Sequence, residues 1–282
     1  MIDSGFLDQL GRFGLVVNKR VTSSYSGPRR SVAFGRGVTF KDHRIYAPGD
    51  DFRAIDWKVF ARTDDLYIKT YEEERSLNVH IIMDASNSMN FGKPISKFDY
   101  AAMIGVGFAY LAMKENEKFQ FSTFSEDLEV FQPRRGMSQL ASMISYLNNM
   151  KTKGFSKLQD ALLQYKRLIG SRSMLIITSD FLYPMDEIKA AFECLGNHEI
   201  KIIQVLDSVE KDLNLSGDFN LKDSESGDKM RTYISNKLRM DYQKLLEDHT
   251  ARIQNECNNL GMEFHQITTD VPIFDTFYRI LE

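Results

Sequence analysis

Val79-His80-Ile81-Ile82-Met83-Asp84-Ala85-Ser86-Asn87-Ser88 is the stretch whose reading decides the fold. Its apolar run does not alternate with polar residues, and it ends in a carboxylate followed by small polar side chains. That is the pattern of a strand buried on both faces, feeding a loop that carries function. Met174-Leu175-Ile176-Ile177-Thr178 repeats the pattern and ends at Ser179 and Asp180. Between the two, Ser96 and Asp99 form a capping pattern that predicts a helix over about Lys97 to Glu115. Lys118 to Phe124 and Leu128 to Phe131 read as a hairpin, and Ser138 to Met150 and Leu158 to Ile169 as helices. Downstream come a helix at Asp186 to Leu195, a strand at Glu199 to Leu206 and a polar hairpin around Asp218 to Tyr233. A long helix at Lys237 to Leu260, a strand at Met262 to Ile267 and a helix at Val271 to Leu281 close the chain. Strands alternating with helices predict an α/β fold with a doubly wound, mostly parallel sheet.

The first part of the chain reads differently, with short strand candidates and Gly and Pro punctuation. Two domains are expected: a small β-rich N-terminal module over 1–75 and the α/β domain over 76–282. In the module, Arg12, Lys19, Arg20, Arg29, Arg30, Arg36, Lys41 and Arg44 face only Asp42, a solvated basic face or a docking patch for an acidic surface. Pro48-Gly49-Asp50 is a turn, and Asp50, Asp51, Arg53 and Asp56 are close enough to pair locally. Trp57, the single tryptophan, is expected to anchor the module by packing.

Composition excludes several classes. A net charge of −3 gives the whole molecule no electrostatic reason to seek nucleic acid or anionic lipid. Cys194 and Cys257 have neither disulfide-scaffold nor zinc spacing. The longest apolar stretch, Ala101 to Met113, falls short of the ~20 residues that span a bilayer, and Met1 to Leu15 lacks the pattern of a signal peptide. No nucleic-acid partner, no direct membrane insertion and a cytoplasmic setting are therefore expected. His43, His80, His198, His249 and His265 are scattered, there is no HExxH or GxxxxGK[ST], and Gly105 and Gly107 lie inside a helix. The chain is not read as an enzyme.

Asp84, Ser86 and Ser88 converge on one loop at a strand's carboxyl end, and Asp180 sits at the end of the second such strand. Open α/β sheets bind ligands at that edge, beside the switch point of the strand order. Carboxylate and hydroxyl oxygens without thiolate or imidazole suit Mg2+, Mn2+ or Ca2+. Turn and cap chemistry is the alternative for such a loop.

In this order and strand context the motif resembles the von Willebrand factor A domain, whose metal-ion-dependent adhesion site uses D-x-S-x-S, a later threonine and a later aspartate. Gly154-Phe155-Ser156-Lys157-Leu158 matches the threonine loop, with Ser156 in the threonine's place and Thr152 as a second candidate. The resemblance implies metal contact by Ser86, Ser88 and Ser156, with Asp84 and Asp180 acting partly through water. It also implies an open position that an acidic side chain of a protein partner fills. A second resemblance covers nearly the whole chain. Arg44-Ile45-Tyr46-Ala47-Pro48-Gly49-Asp50-Asp51-Phe52-Arg53-Ala54-Ile55-Asp56-Trp57, Ala61-Arg62 and Tyr71-Glu72-Glu73-Glu74 are similar to the signature of the prokaryotic domain of unknown function 58 family. Members commonly accompany MoxR-type AAA+ ATPases, which implies an adaptor or chaperone-like role with such a partner. A scaffold with a vestigial metal site and a metal-dependent hydrolase are the other readings.

Overall fold

The computed structural model describes the chain apart from residues 1, 3–4, 12–29, 35–38, 75–77, 171–172, 197, 225–226 and 282, with 30–34, 39–41 and 70–74 described by backbone alone. The chain divides into two units, Met1–Phe13 with Leu77–Glu282, and Gly14–Ser76. The first thirteen residues thus belong with the larger unit, where the sequence reading put them in the module. The cause is a short amphipathic helix, α1 (residues 5–11), whose Phe6 and Leu10, four apart, are both buried. The backbone N–H and C=O of Ile2 also pair with the Asn148 side chain, both at 2.9 Å.

In the smaller unit, strands β1 (Arg30–Phe34), β2 (Thr39–Ile45) and β3 (Tyr67–Glu74) form an antiparallel sheet in the order β1-β3-β2. A helix the sequence reading missed, α2 (Trp57–Thr63), lies between β2 and β3 and is too short to show a period. Asp56 caps it by accepting from Lys58 N at 3.0 Å, and its other oxygen meets His43 Nε2 at 2.9 Å and Lys69 Nζ at 3.5 Å. The His43 bond, with that cap and the Lys69 charge, lowers the Asp56 carboxyl to about 2. Asp50 is held by Arg44 at 2.5 Å and by Ala47 N at 2.9 Å, so the expected local pairs exist with different partners. Trp57 is 59% exposed and meets Phe60 of its own helix edge-on at 6.0 Å. Apart from Asp42 and Arg44, the side chains of the basic run lie outside the described residues.

The larger unit continues with β4 (Asn78–Asp84), α3 (Lys97–Lys114), β5 (Lys118–Phe124), β6 (Leu128–Val130), α4 (Met137–Asn149), α5 (Leu158–Lys166) and β7 (Ser173–Ser179). Then follow α6 (Met185–Glu193), β8 (Glu199–Leu206), α7 (Ser208–Asp212), β9 (Gly217–Lys222), β10 (Lys229–Ile234), α8 (Asn236–Asn259), β11 (Glu263–Thr268) and α9 (Ile273–Leu281). The main sheet has the order β11-β8-β7-β4-β5-β6, parallel throughout except for β6, which is antiparallel to β5. This is the doubly wound, mostly parallel sheet that the sequence predicts. Every residue of β7 is buried, as are all of β4 except Asn78. Ile81, Ile82, Ile176 and Ile177 are fully enclosed, each stabilising the fold by about 2 kcal/mol relative to exposure. Helix α3 lies against β4 and β5 and also meets α4 and α9, while α6 contacts both α5 and α8, with Leu162, Phe192 and Ile253 in one apolar cluster.

From β4 the chain winds outward to β5 and β6, then returns to place β7 on the opposite side of β4. The direction of winding therefore reverses between β4 and β7, and the carboxyl ends of these two strands flank the crevice where such sheets bind ligands.

One polar side chain of β4 makes the core sensitive to pH. His80 is buried, its Nδ1 lies 2.8 Å from the Tyr165 hydroxyl, and its Nε2 has no partner among the described residues. Burial, with the His198 charge, pulls its pKa from 6.5 to about 4. The unfolded chain therefore takes up a proton first as the pH falls. The stability present at pH 7 is lost progressively between 6.5 and about 4. Urea unfolding is expected to show about 2 kcal/mol lost at this residue between about pH 7 and pH 5. His80→Gln should remove that component of the slope, and an unchanged slope would contradict it.

Candidate metal centre

Asp84 ends β4 and is completely buried, so its carboxylate has to be satisfied from within. Ser86 N donates to Oδ1 at 2.9 Å. Ser179 Oγ at 2.7 Å, Ser156 Oγ at 3.1 Å and the Tyr183 hydroxyl donate to Oδ2. Ser86 Oγ and Ser88 Oγ are 3.0 Å apart at the start of a 3-10 turn, Asn87–Asn90. The loop after β4 is stitched to the loop before α5 by Asn87 N to Gly154 O at 3.1 Å and Lys153 N to Ala85 O at 3.0 Å. Gly154 takes φ +71°, which glycine adopts without strain, and a Cβ there would sit 2.5 Å from Glu126 Oε1 in the turn between β5 and β6. Ser156 reaches Asp84, and it is Ser156, not Thr152, that the hydrogen bonds bring to the cluster.

Asp180, at the end of β7, is 2% exposed and engages a different partner. Lys97, the first residue of α3, is fully buried and donates to Asp180 Oδ2 at 2.9 Å and to Glu210 Oε1 at 2.8 Å. Glu210 is itself fixed by a capping box with Asp207 at the start of α7. Burial works against the Lys97 ammonium, but the charges of Asp180 and Glu210 outweigh it and hold its pKa above the ordinary lysine value. At Asp84 burial and then the nearby Asp180 charge raise the carboxyl, against the bonds from Tyr183, Ser86 and Ser179. Burial and the two carboxylates keep the Tyr183 phenol well above its ordinary pKa, so it stands as a neutral donor. The sequence-predicted residues thus form two adjoining groups: Asp84 with Ser86, Ser88 and Ser156, and Asp180 with Lys97.

The first group suits a hard divalent cation. Its donors are all oxygen, Asp84 sits where positive charge is short, and the Ser86–Ser88 spacing of 3.0 Å matches the ~2.9 Å between adjacent ligands of an octahedral Mg2+. Among the described residues no group of three or more His, Cys, Asp or Glu is suited to a metal, so hydroxyls must supply much of the coordination. Phe91, Phe155 and Leu182, on the same three loops, are large apolar side chains exposed by 44%, 48% and 46%.

Residues 42–252 match the family described as Protein of unknown function DUF58. The chain belongs to that family. This DUF58 chain is 26% identical over 261 residues to the uncharacterized protein Rv1480 of Mycobacterium tuberculosis, covering 91% of this chain and 82% of the relative. It is 27% identical over 104 residues to the uncharacterized protein YeaD of Bacillus subtilis, 37% of this chain and 24% of the relative. Among solved structures, BatB of Bacteroides thetaiotaomicron is similar with a TM-score of 0.45 and 14% identity, over 73% of this chain and 97% of that one. Manganese-loaded TRAP of Plasmodium vivax gives a TM-score of 0.36 and 15% identity, over 45% and 56%. Among the described residues of this DUF58 chain no helix is long and apolar enough to cross a membrane.

Proposed function

We propose that this DUF58 chain is a non-enzymatic, divalent-metal-dependent protein-interaction module, an adaptor or chaperone-like component that works in the cytoplasm with a MoxR-type AAA+ ATPase. The observation that carries the reading is the buried, charge-deficient Asp84 cluster whose loops also present Phe91, Phe155 and Leu182. Large apolar side chains left exposed on neighbouring loops are the kind of residue that anchors a protein interface. Asp84, Ser86, Ser88 and Ser156 would hold Mg2+, Mn2+ or Ca2+, with Asp180 adjoining. When bound, the cation supplies an open coordination position for an acidic side chain of the partner. Tyr183 and Ser179 orient the Asp84 carboxylate, and the apolar rim excludes water around the contact.

A second reading, a scaffold whose metal loops are vestigial, is favoured by the pairing of Asp180 with Lys97. The two separate in a capture experiment with a purified MoxR-type ATPase of the same organism. Metal-dependent docking is expected to retain the ATPase in Mg2+, lose it in EDTA, and lose it in Asp84→Ala. Retention that is indifferent to chelator and to Asp84→Ala would favour the scaffold.

A further inference from the structure

Lys97 is placed where a cation is least expected. It is the first residue of an α-helix, where the helix dipole disfavours positive charge, and it is fully buried. Its three donors reach Asp180 at 2.9 Å and Glu210 at 2.8 Å, so one ammonium bridges a carboxylate of the centre and a carboxylate outside it. Asp84, beside Asp180, receives only neutral donors.

We propose that Lys97 is a built-in rival of the metal: its ammonium neutralises Asp180 in the metal-free centre and draws back onto Glu210 when a divalent cation enters. The inference rests on the metal-dependent reading above and adds the residue that sets its affinity. Without Lys97 the Asp84 and Asp180 carboxylates present two negative charges to an incoming cation; with it they present one. Glu210 is suited to keep the displaced ammonium, because its other oxygen is tied to Asp207 N at 3.2 Å and α7 therefore holds it in place. The pair accordingly has a closed state that needs no metal and a loaded state that the metal has to win from the lysine.

The test is calorimetric titration of the full chain with Mn2+, comparing wild type with Lys97→Met, which keeps an unbranched side chain one atom shorter and drops the charge. Lys97→Met is expected to bind Mn2+ at least about tenfold more tightly. It should also have a lower Tm than wild type in EDTA and recover more of it on adding Mn2+, since the metal then replaces the missing charge. Lys97→Gln is expected to tighten binding in the same way if the methionine variant does not fold. Asp84→Asn added to either variant should abolish the binding. Wild-type binding lost in Asp84→Asn but unchanged in Lys97→Met and Lys97→Gln would overturn the rivalry and leave the metal-dependent reading standing. No saturable binding in wild type or in the Lys97 variants would overturn both.

Discussion

Gly107→Ala is expected to destabilise the larger unit by about 3 kcal/mol and lower its Tm by roughly 6–12 °C. A Cβ at Gly107 would lie 1.9 Å from Cζ of Phe277 and 2.5 Å from its Cε1, an overlap with a ring that is itself fully buried. The ring has little room to turn, because it packs against Phe108 at 6.1 Å and Phe274 at 6.4 Å. Helix α9 is also pinned to α3 by the Tyr100 hydroxyl, which meets Val271 O at 2.8 Å and Thr276 Oγ1 at 2.6 Å. Relief therefore requires moving α9 as a whole, at about 4 kcal/mol and beyond the usual range for one added methyl. Roughly 1 kcal/mol is offset by the better helix propensity of alanine. Gly105→Ala is the control, since its Cβ would meet side-chain atoms of Ile81 and Met83 at 3.0 Å and ask for a much smaller shift. Thermal unfolding checks both, and a Gly107→Ala protein as stable as wild type would contradict the seating of α9.

The fold was legible wherever burial on both faces wrote itself into unbroken apolar runs. Val79 to Met83 and Met174 to Thr178 needed no alternation because helices cover the sheet on each side, and both are neighbouring parallel strands. Helix α5 ends at Lys166, short of the Ile169 expected, because the chain tightens there into the turn bonds Arg167 N to Gln164 O and Leu168 N to Tyr165 O. Helices α1 and α2 span too few turns for a period to stand out, and only the Asp56 cap marked α2. In the site, the spacing of D-x-S-x-S and the position of Asp180 were readable because they are local facts about strand ends. Lys97, Tyr183 and Glu210 were not, since their partners lie 83, 99 and 113 positions away along the chain. The one available signal for Lys97 was its place at the helix start, which is unfavourable without a negative partner. Gly107 was read only as a residue inside a helix, and nothing in the local sequence announces the aromatic ring that requires it.

The second large effect is expected at Asp84. Its side chain collects four donors, the Ser86 N–H and the Ser156, Ser179 and Tyr183 hydroxyls, so removing it leaves Ser86, Ser88 and Ser156 with no anionic centre around which to gather a cation. A hydroxyl set alone binds Mg2+ or Mn2+ far too weakly to saturate, and the loss should be complete rather than graded. Asp84→Ala also removes a carboxylate that burial already opposes, so the protein is expected to stay folded, which circular dichroism checks alongside. The most direct measurement is calorimetric titration of the metal-stripped full chain with Mn2+ and with Mg2+, wild type beside Asp84→Ala. Saturable one-to-one binding in wild type that disappears in Asp84→Ala is expected; no saturable binding in wild type, or binding that survives the substitution, would contradict a metal centre built on Asp84.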